Sequence, residues 1–129
     1  MRMLNIIISS ASNLAIYEQI MNQIKTAIIN KDVVAGDALP SIRGLAKDLQ
    51  ISVITTKRAY EELEKEGLIY SKSGKGFYVN EQNTDLLKEK KIRMIETHLS
   101  EIIKECKLAG LSLEDIQDIV EVLFKEPTE

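Results

Sequence analysis

The chain has 129 residues, 44% hydrophobic and 29% charged, with no tryptophan and a formal net charge of −3. That length fits one domain, or a small domain with an appendage, around a real but modest core. The single cysteine, Cys106, excludes an internal disulfide and suits a reducing cytoplasm, and the apolar run near the N-terminus is too short for a signal-peptide core or a membrane span.

Residues 3–9 form a β-prone run, with Leu4, Ile6, Ile7 and Ile8, which as a lone strand must pair or pack elsewhere. From Leu14 to Asn30, the positions Ile16, Ile20, Ile24, Ala27 and Ile28 recur at helical spacing, widened by Tyr17 and Met21. Asn30 to Asp37 is rich in turn residues, and Pro40 stops any helix running through it. Ser41 then caps a short helix with Ile42, Leu45, Ala46 and Leu49 inward; Gly44 sits where a glutamate would complete a capping box, which weakens this start. Ile51 is expected as a buried plug in the turn. Ser52 caps a second helix that runs to Glu66, with Thr56, Ala59, Tyr60 and Leu63 inward and Gly67 as its C′ residue.

Leu68 to Lys72 and Phe77 to Val79 read as two strands joined at Gly74-Lys75-Gly76, where the glycines permit positive φ and Lys75 is held in solvent. After Glu81 the chain becomes helical and strongly charged. Ile92, Ile95, Leu99, Ile102 and Cys106 follow at intervals of three and four, a heptad seam in which Cys106 is an inert apolar residue. Gly110 ends that helix and Ser112 caps a last one, with Leu113, Ile116, Ile119, Val120, Leu123 and Phe124 on its apolar face, before a polar tail.

Helix, turn, helix and hairpin in that order outline a winged helix-turn-helix: mainly α with a small β-hairpin, a DNA-binding domain over residues 3–80 and a two-helix dimerisation or effector region over 81–126. The second helix of such a motif reads the major groove with its first residues. Here those are Ser52, Val53, Ile54, Thr55, Lys57 and Arg58. The hydroxyls suit phosphate oxygens or base edges, and Lys57 reaches guanine acceptors or phosphate. Arg58 is a phosphate contact or an ion pair with Glu61 or Glu62. For Val53 and Ile54 two readings stay open: one packs on the preceding helix, or they touch thymine methyls. Arg43 is read as a DNA contact, against a surface ion pair with Asp48 or Glu62. Lys75 would place the wing tip in the minor groove.

The negative net charge argues against DNA until its distribution is considered. Residues 14–80 hold nine Lys/Arg against eight Asp/Glu; residues 81–129 hold seven against twelve. The acid is concentrated in the C-terminal part, and screening is short-ranged at physiological salt.

The stretches GDALPSIRGLA (36–46), IS…TTKRAYEELE…GLI (51–69) and GKGFYV (74–79), preceded by LAIYEQI (14–20), resemble the DNA-binding domain of GntR-type transcriptional regulators of the YtrA subfamily. The resemblance implies a winged helix that binds double-stranded operator DNA as a homodimer, with Ser41, Arg43, Ser52, Thr55, Lys57, Tyr60, Gly74 and Gly76 at the DNA. Val53 and Ile54 depart from the arginine or proline, then asparagine or threonine, of many relatives. The short tail is similar to that of the subfamily, whose two helices serve dimerisation; here the expected interface is Ile92, Ile95, Leu99, Ile102, Cys106, Leu113, Ile116, Val120, Leu123 and Phe124. Two helices cannot enclose a sizeable ligand pocket within one chain but can bury their faces against a second copy.

These readings give a cytoplasmic homodimeric repressor with no membrane partner and no cofactor; an unknown small-molecule effector is compatible with it but supported by no residue. The alternative is a winged-helix module that binds protein and not DNA. An enzyme is disfavoured: the one histidine, His98, has no second ligand or triad partner at suitable spacing, and Gly74-Lys75-Gly76 is too short for a phosphate loop.

Overall fold

The computed structural model describes residues 4–127. Met3, the expected start of the first strand and of the domain, lies outside them, as do Thr128 and Glu129 of the polar tail. The order is α1 (Ile16–Ile29), α2 (Ile42–Leu49), α3 (Val53–Lys65), β1 (Ile69–Lys72), β2 (Gly76–Val79), α4 (Thr84–Leu108) and α5 (Leu113–Lys125). The chain divides into two compact units, Met1–Leu87 and Lys88–Glu129.

In the first unit α3 is the central element, packed on α1, on α2 and on β1. Its inner face is Thr56, Ala59, Tyr60 and Leu63, all fully buried. Ile20, Ile24 and Ile28 of α1, Leu45 of α2, and Ile69 and Val79 of the hairpin complete the core. Ile16, expected in the α1 stripe, is instead exposed, because it occupies the first turn of the helix. Ile51 is half-buried, against the expected full burial.

Residues 4–9 are not a strand. They run extended along α1, and two glutamines one helical turn apart take the place of a partner strand. Gln23 accepts from the Ile7 N–H (2.8 Å) and donates to the Ile7 carbonyl (2.6 Å). Gln19 accepts from the Ser9 N–H (2.8 Å) and donates to the Ser9 carbonyl (3.1 Å). Each carboxamide offers the donor–acceptor pair that a neighbouring backbone would. Ile6 of this segment is buried in the core.

The helix ends follow capping chemistry. Ser41 and Ser52 accept from the N–H groups of Gly44 (2.9 Å) and Thr55 (3.0 Å). After α3, Gly67 at φ +79 lets the Leu68 N–H reach back to the Leu63 carbonyl (3.0 Å). After α2 the same left-handed role falls to Gln50, at φ +57, and the Ile51 N–H reaches the Ala46 carbonyl (3.0 Å).

The hairpin is antiparallel, with Ile69 opposite Val79 and Tyr70 opposite Tyr78. The turn-rich segment before Pro40 supplies a third, strand-like rung that its composition did not reveal. The Gly36 N–H donates to the Val79 carbonyl (2.8 Å), Val79 donates to the Asp37 carbonyl (2.9 Å), and Leu39 donates to the Phe77 carbonyl (2.9 Å). Beyond Val79, Gln82 donates to the Leu68 carbonyl (2.9 Å) and Leu87 packs on the core. These contacts keep the chain on the first unit past Asn80, and that unit runs to Leu87.

In the second unit α4 ends at Leu108, and Gly110 (φ +80) turns the chain beyond it. Ser112 and Asp115 cap α5 reciprocally: Ser112 N–H to Asp115 Oδ2 is 2.9 Å, and Asp115 N–H to Ser112 Oγ is 3.1 Å. The bonds from the Ser112 N–H and then from its hydroxyl hold the Asp115 carboxyl below its ordinary range. Neither α4 nor α5 has a buried residue.

Tyr60 donates its hydroxyl to the Pro40 carbonyl (2.7 Å). Tyr60→Phe should lower stability by about 1 kcal/mol by leaving that acceptor unpaired, read as a lower urea midpoint at unchanged slope; an unchanged midpoint would mean the bond contributes nothing net.

Candidate nucleic-acid interface

The burial of Thr56, Ala59, Tyr60 and Leu63 leaves Ile54, Lys57, Arg58 and Glu61 on the opposite face of α3, spaced at three and four residues. Ser52, Val53, Ile54, Lys57 and Arg58 are all exposed and Thr55 is half-buried. The helix start is therefore accessible, but its hydroxyls are partly engaged. Ser52 Oγ donates to Thr55 Oγ1 (2.7 Å) while accepting from the Thr55 N–H. Thr56 Oγ1 turns inward to the Ser52 carbonyl (3.1 Å). Thr55 keeps its own hydroxyl proton to donate outward.

Val53 and Ile54 both face solvent, so neither is consumed by packing on α2. Lys57 has no ion-pair partner among the described residues. Arg58 does not pair with Glu61 or Glu62, the acids its sequence neighbourhood offered. Its guanidinium lies 3.9 Å above the Tyr17 ring of α1. Glu62 instead approaches Lys65 at 3.8 Å. The charge along α3 is thereby sorted. Lys57 and Arg58 lie in its first half, while Glu64 is bonded to Ser71 (2.9 Å) and Glu66, just past its end, to Lys25 (2.9 Å).

On α2, Ser41 is exposed and spends its hydroxyl oxygen on the helix cap. Arg43 is exposed and pairs with neither Asp48 nor Glu62. Lys47 follows one turn later on the same face, also exposed, a second cation that its spacing from Arg43 could have revealed. Gly44 has a local reason beyond helix propensity: a Cβ there would lie 2.8 Å from Ser41 Oγ, the capping atom.

Tyr60 is the correction among the candidate residues. It is fully buried, and burial pushes its phenol well above the ordinary tyrosine value, so it acts as a neutral donor to Pro40. It stands edge-on to Phe77, centroids 5.2 Å apart. It cannot touch a ligand outside the domain; it fixes α3 against the entrance of α2 and the hairpin.

The wing is braced at both ends. At its base, Ser71 donates through both its N–H and its hydroxyl to Glu64 Oε2 of α3. At its tip, Gly74 (φ +70) and Gly76 (φ +88) take the left-handed conformations the turn requires, and the Lys75 N–H closes on the Lys72 carbonyl (2.9 Å). The Tyr78 hydroxyl donates to the Lys75 carbonyl (3.0 Å), Tyr78 stacks on Tyr70 at 5.8 Å, and Lys72 Nζ sits 4.8 Å over the Tyr78 ring. Lys75 itself is exposed at the tip.

An open cleft of about 610 Å³ lies elsewhere on the first unit, lined by Ile28, Val33, Val34, Asn80 and Gln82 among others. No helix among the described residues is long and apolar enough to cross a membrane.

Residues 16–79 match the family model described as bacterial regulatory proteins, gntR family. The HTH-type transcriptional repressor YtrA of Bacillus subtilis is 37% identical over 111 residues, covering 86% of this chain and 85% of its own. A GntR family transcriptional regulator from Listeria monocytogenes superposes with a TM-score of 0.67 at 31% identity, covering 88% of this chain and 97% of that one. The DNA-binding domain of AraR, solved in complex with an operator, matches with a TM-score of 0.50 at 26% identity over 56% of this chain and 88% of its own.

The Tyr17–Arg58 contact joins α1 to the accessible face of α3. A double-mutant cycle with Tyr17→Leu and Arg58→Ala, followed by urea unfolding, should return a coupling of about 0.5–1 kcal/mol; additive losses would show that the stack carries no energy.

Proposed function

The chain belongs to the gntR family of bacterial regulatory proteins and is a DNA-binding transcriptional regulator; from that premise we propose that it acts as a homodimeric cytoplasmic repressor on a two-fold symmetric operator. Residues 3–80 would read the DNA and residues 81–126 would pair the two copies.

The observation that carries the pairing is the uncovered apolar surface of the second unit. Ile92, Ile95, Leu99 and Ile102 repeat along α4 with exposures between 44% and 53%, and Phe124 of α5 is 87% exposed. Val120, Leu123 and Leu113 are exposed with them, while Cys106 and Ile116 are half-buried. Ile119 of α5 adds to this surface, while the exposed Met94, Leu108 and Val122 lie on other faces of their helices. An uncovered apolar face of this kind is unfavourable in water and is removed by a second copy carrying the same face.

For the DNA side, the reading rests on the accessible start of α3. Lys57 has no ion-pair partner among the described residues there, Arg43 and Lys47 approach from α2, and Lys75 extends from the wing. Phosphate contacts from such cations set register, and groups at the helix start specify bases. Two-fold pairing sets the two recognition helices about 34 Å apart, one turn of duplex. Repression follows from a dimer occupying promoter DNA, the role that the name of the B. subtilis relative also carries. No effector is assigned: the open cleft has the size for a small molecule, and its mixed lining specifies no chemistry.

Sedimentation of the wild type should give a dimer. The pair Ile95→Asp and Ile102→Asp should give a monomer that still melts cooperatively through its first unit but binds an inverted-repeat duplex about a hundredfold more weakly. A monomeric wild type that binds the repeat with full affinity would overturn the dimer. On the same duplex, Arg43→Ala and Lys57→Ala should each flatten the plot of log affinity against log salt by about one unit; unchanged slopes would remove those two residues from the interface.

A further inference from the structure

We propose that Ile54 reads the operator by packing its side chain on the C5 methyl of a thymine in the major groove. This rests on the DNA reading above and names the chemistry of its specificity. Ile54 is 81% exposed, the most exposed large aliphatic side chain among the described residues of the first unit. It lies in the first turn of α3, on the same face as Lys57 and Arg58, three and four residues on. An isoleucine held in water beside two cations gains nothing from the fold of its own chain, and it sits on the face whose cations attract phosphate.

The polar groups around it narrow the alternatives. Ser52 spends its hydroxyl proton on Thr55 Oγ1 and accepts from the Thr55 N–H. The Thr56 hydroxyl is turned inward to the Ser52 carbonyl. At the tip of α3 the Thr55 hydroxyl keeps a proton for a base edge, and Lys57, one turn on, can reach a guanine acceptor. Val53 and Ile54 are the apolar groups there, and Ile54, 81% exposed against 40%, offers the larger apolar surface to a base. Among the four base-pair orientations, thymine alone presents an apolar group on the major-groove edge, its methyl. Contact with that methyl removes apolar area from both partners, while any other base leaves the side chain against polar edges. Burying one such group is worth about 0.8 kcal/mol, which is about fourfold in affinity for each half-site.

The test uses the full chain. An operator is first selected from random-sequence duplexes with the wild type. Each thymine of the selected site is then replaced singly by deoxyuridine, which lacks only the C5 methyl, and affinities are measured for the wild type, Ile54→Ala and Ile54→Val. At one thymine per half-site the wild type should lose about fourfold on replacement. Ile54→Ala should lose a similar factor on the thymine duplex and be indifferent to the replacement there, while Ile54→Val keeps part of the discrimination. Because the side chain is exposed, both variants should melt as the wild type does. If the wild type binds thymine and deoxyuridine duplexes equally at every position, or if Ile54→Ala keeps the full discrimination, the proposal is wrong and the operator reading stands. If the wild type selects no sequence at all, both fall.

Discussion

The accessible face of α3 exists because its opposite face is immobilised, and Tyr60 joins that burial to a polar tie. Its ring is buried between α2 and the hairpin, edge-on to Phe77, and its hydroxyl is bonded to the Pro40 carbonyl at the entrance of α2. One side chain therefore ties the helix carrying Ile54 and Lys57 to the helix carrying Arg43 and to the strand leading to the wing. The geometry among these three elements is set by packing, so the exposed groups can remain chemically free. A binding surface on rigid elements avoids the cost of ordering flexible groups on association.

The remaining polar bonds of the first unit serve the same end. Glu64 holds the base of the hairpin through Ser71, Tyr78 holds its tip through the Lys75 carbonyl, and Arg58 lies on Tyr17. Glu62, Glu64 and Glu66, toward the end of α3, are engaged by Lys65, Ser71 and Lys25, while Glu61 stays exposed on the accessible face. The overall charge of −3 thus says little about the surface that matters, because attraction to a polyanion depends on which charges lie within a Debye length of it. Most of the acid belongs to the second unit and to bonded partners within the first.

The second unit poses the opposite problem. Its two helices are well capped, with Gly110 and the Ser112–Asp115 box at their junction, yet none of their side chains is buried. Local capping makes helices; it does not provide a core. An amphipathic pair of this length gains its stability from tertiary or quaternary contact, and the proposed pairing of two chains supplies that contact and the two-fold arrangement an operator would mirror.

Much of this was legible in the sequence. The caps at Ser41, Ser52 and Ser112, the C′ glycine at Gly67, the inner face of α3, the hairpin and the heptad seam follow from short-range rules: hydrogen bonds within a turn, helical periodicity and the conformational freedom of glycine. Three features were decided only by tertiary structure, each because a long-range partner replaced the local one. Residues 4–9 looked like a strand and are an extended segment satisfied by Gln19 and Gln23 of α1, sixteen residues away in the case of Ile7 and Gln23. Gly36 and Asp37 looked like the end of a loop and, with Ala38 and Leu39, became a rung beside β2. Tyr60 stood on the inner face by periodicity and at the DNA by resemblance; its complete burial and its bond to Pro40, twenty residues back, favour the first. Periodicity reports which face of a helix is apolar, but which distant group satisfies each polar atom is known only once the chain has closed on itself.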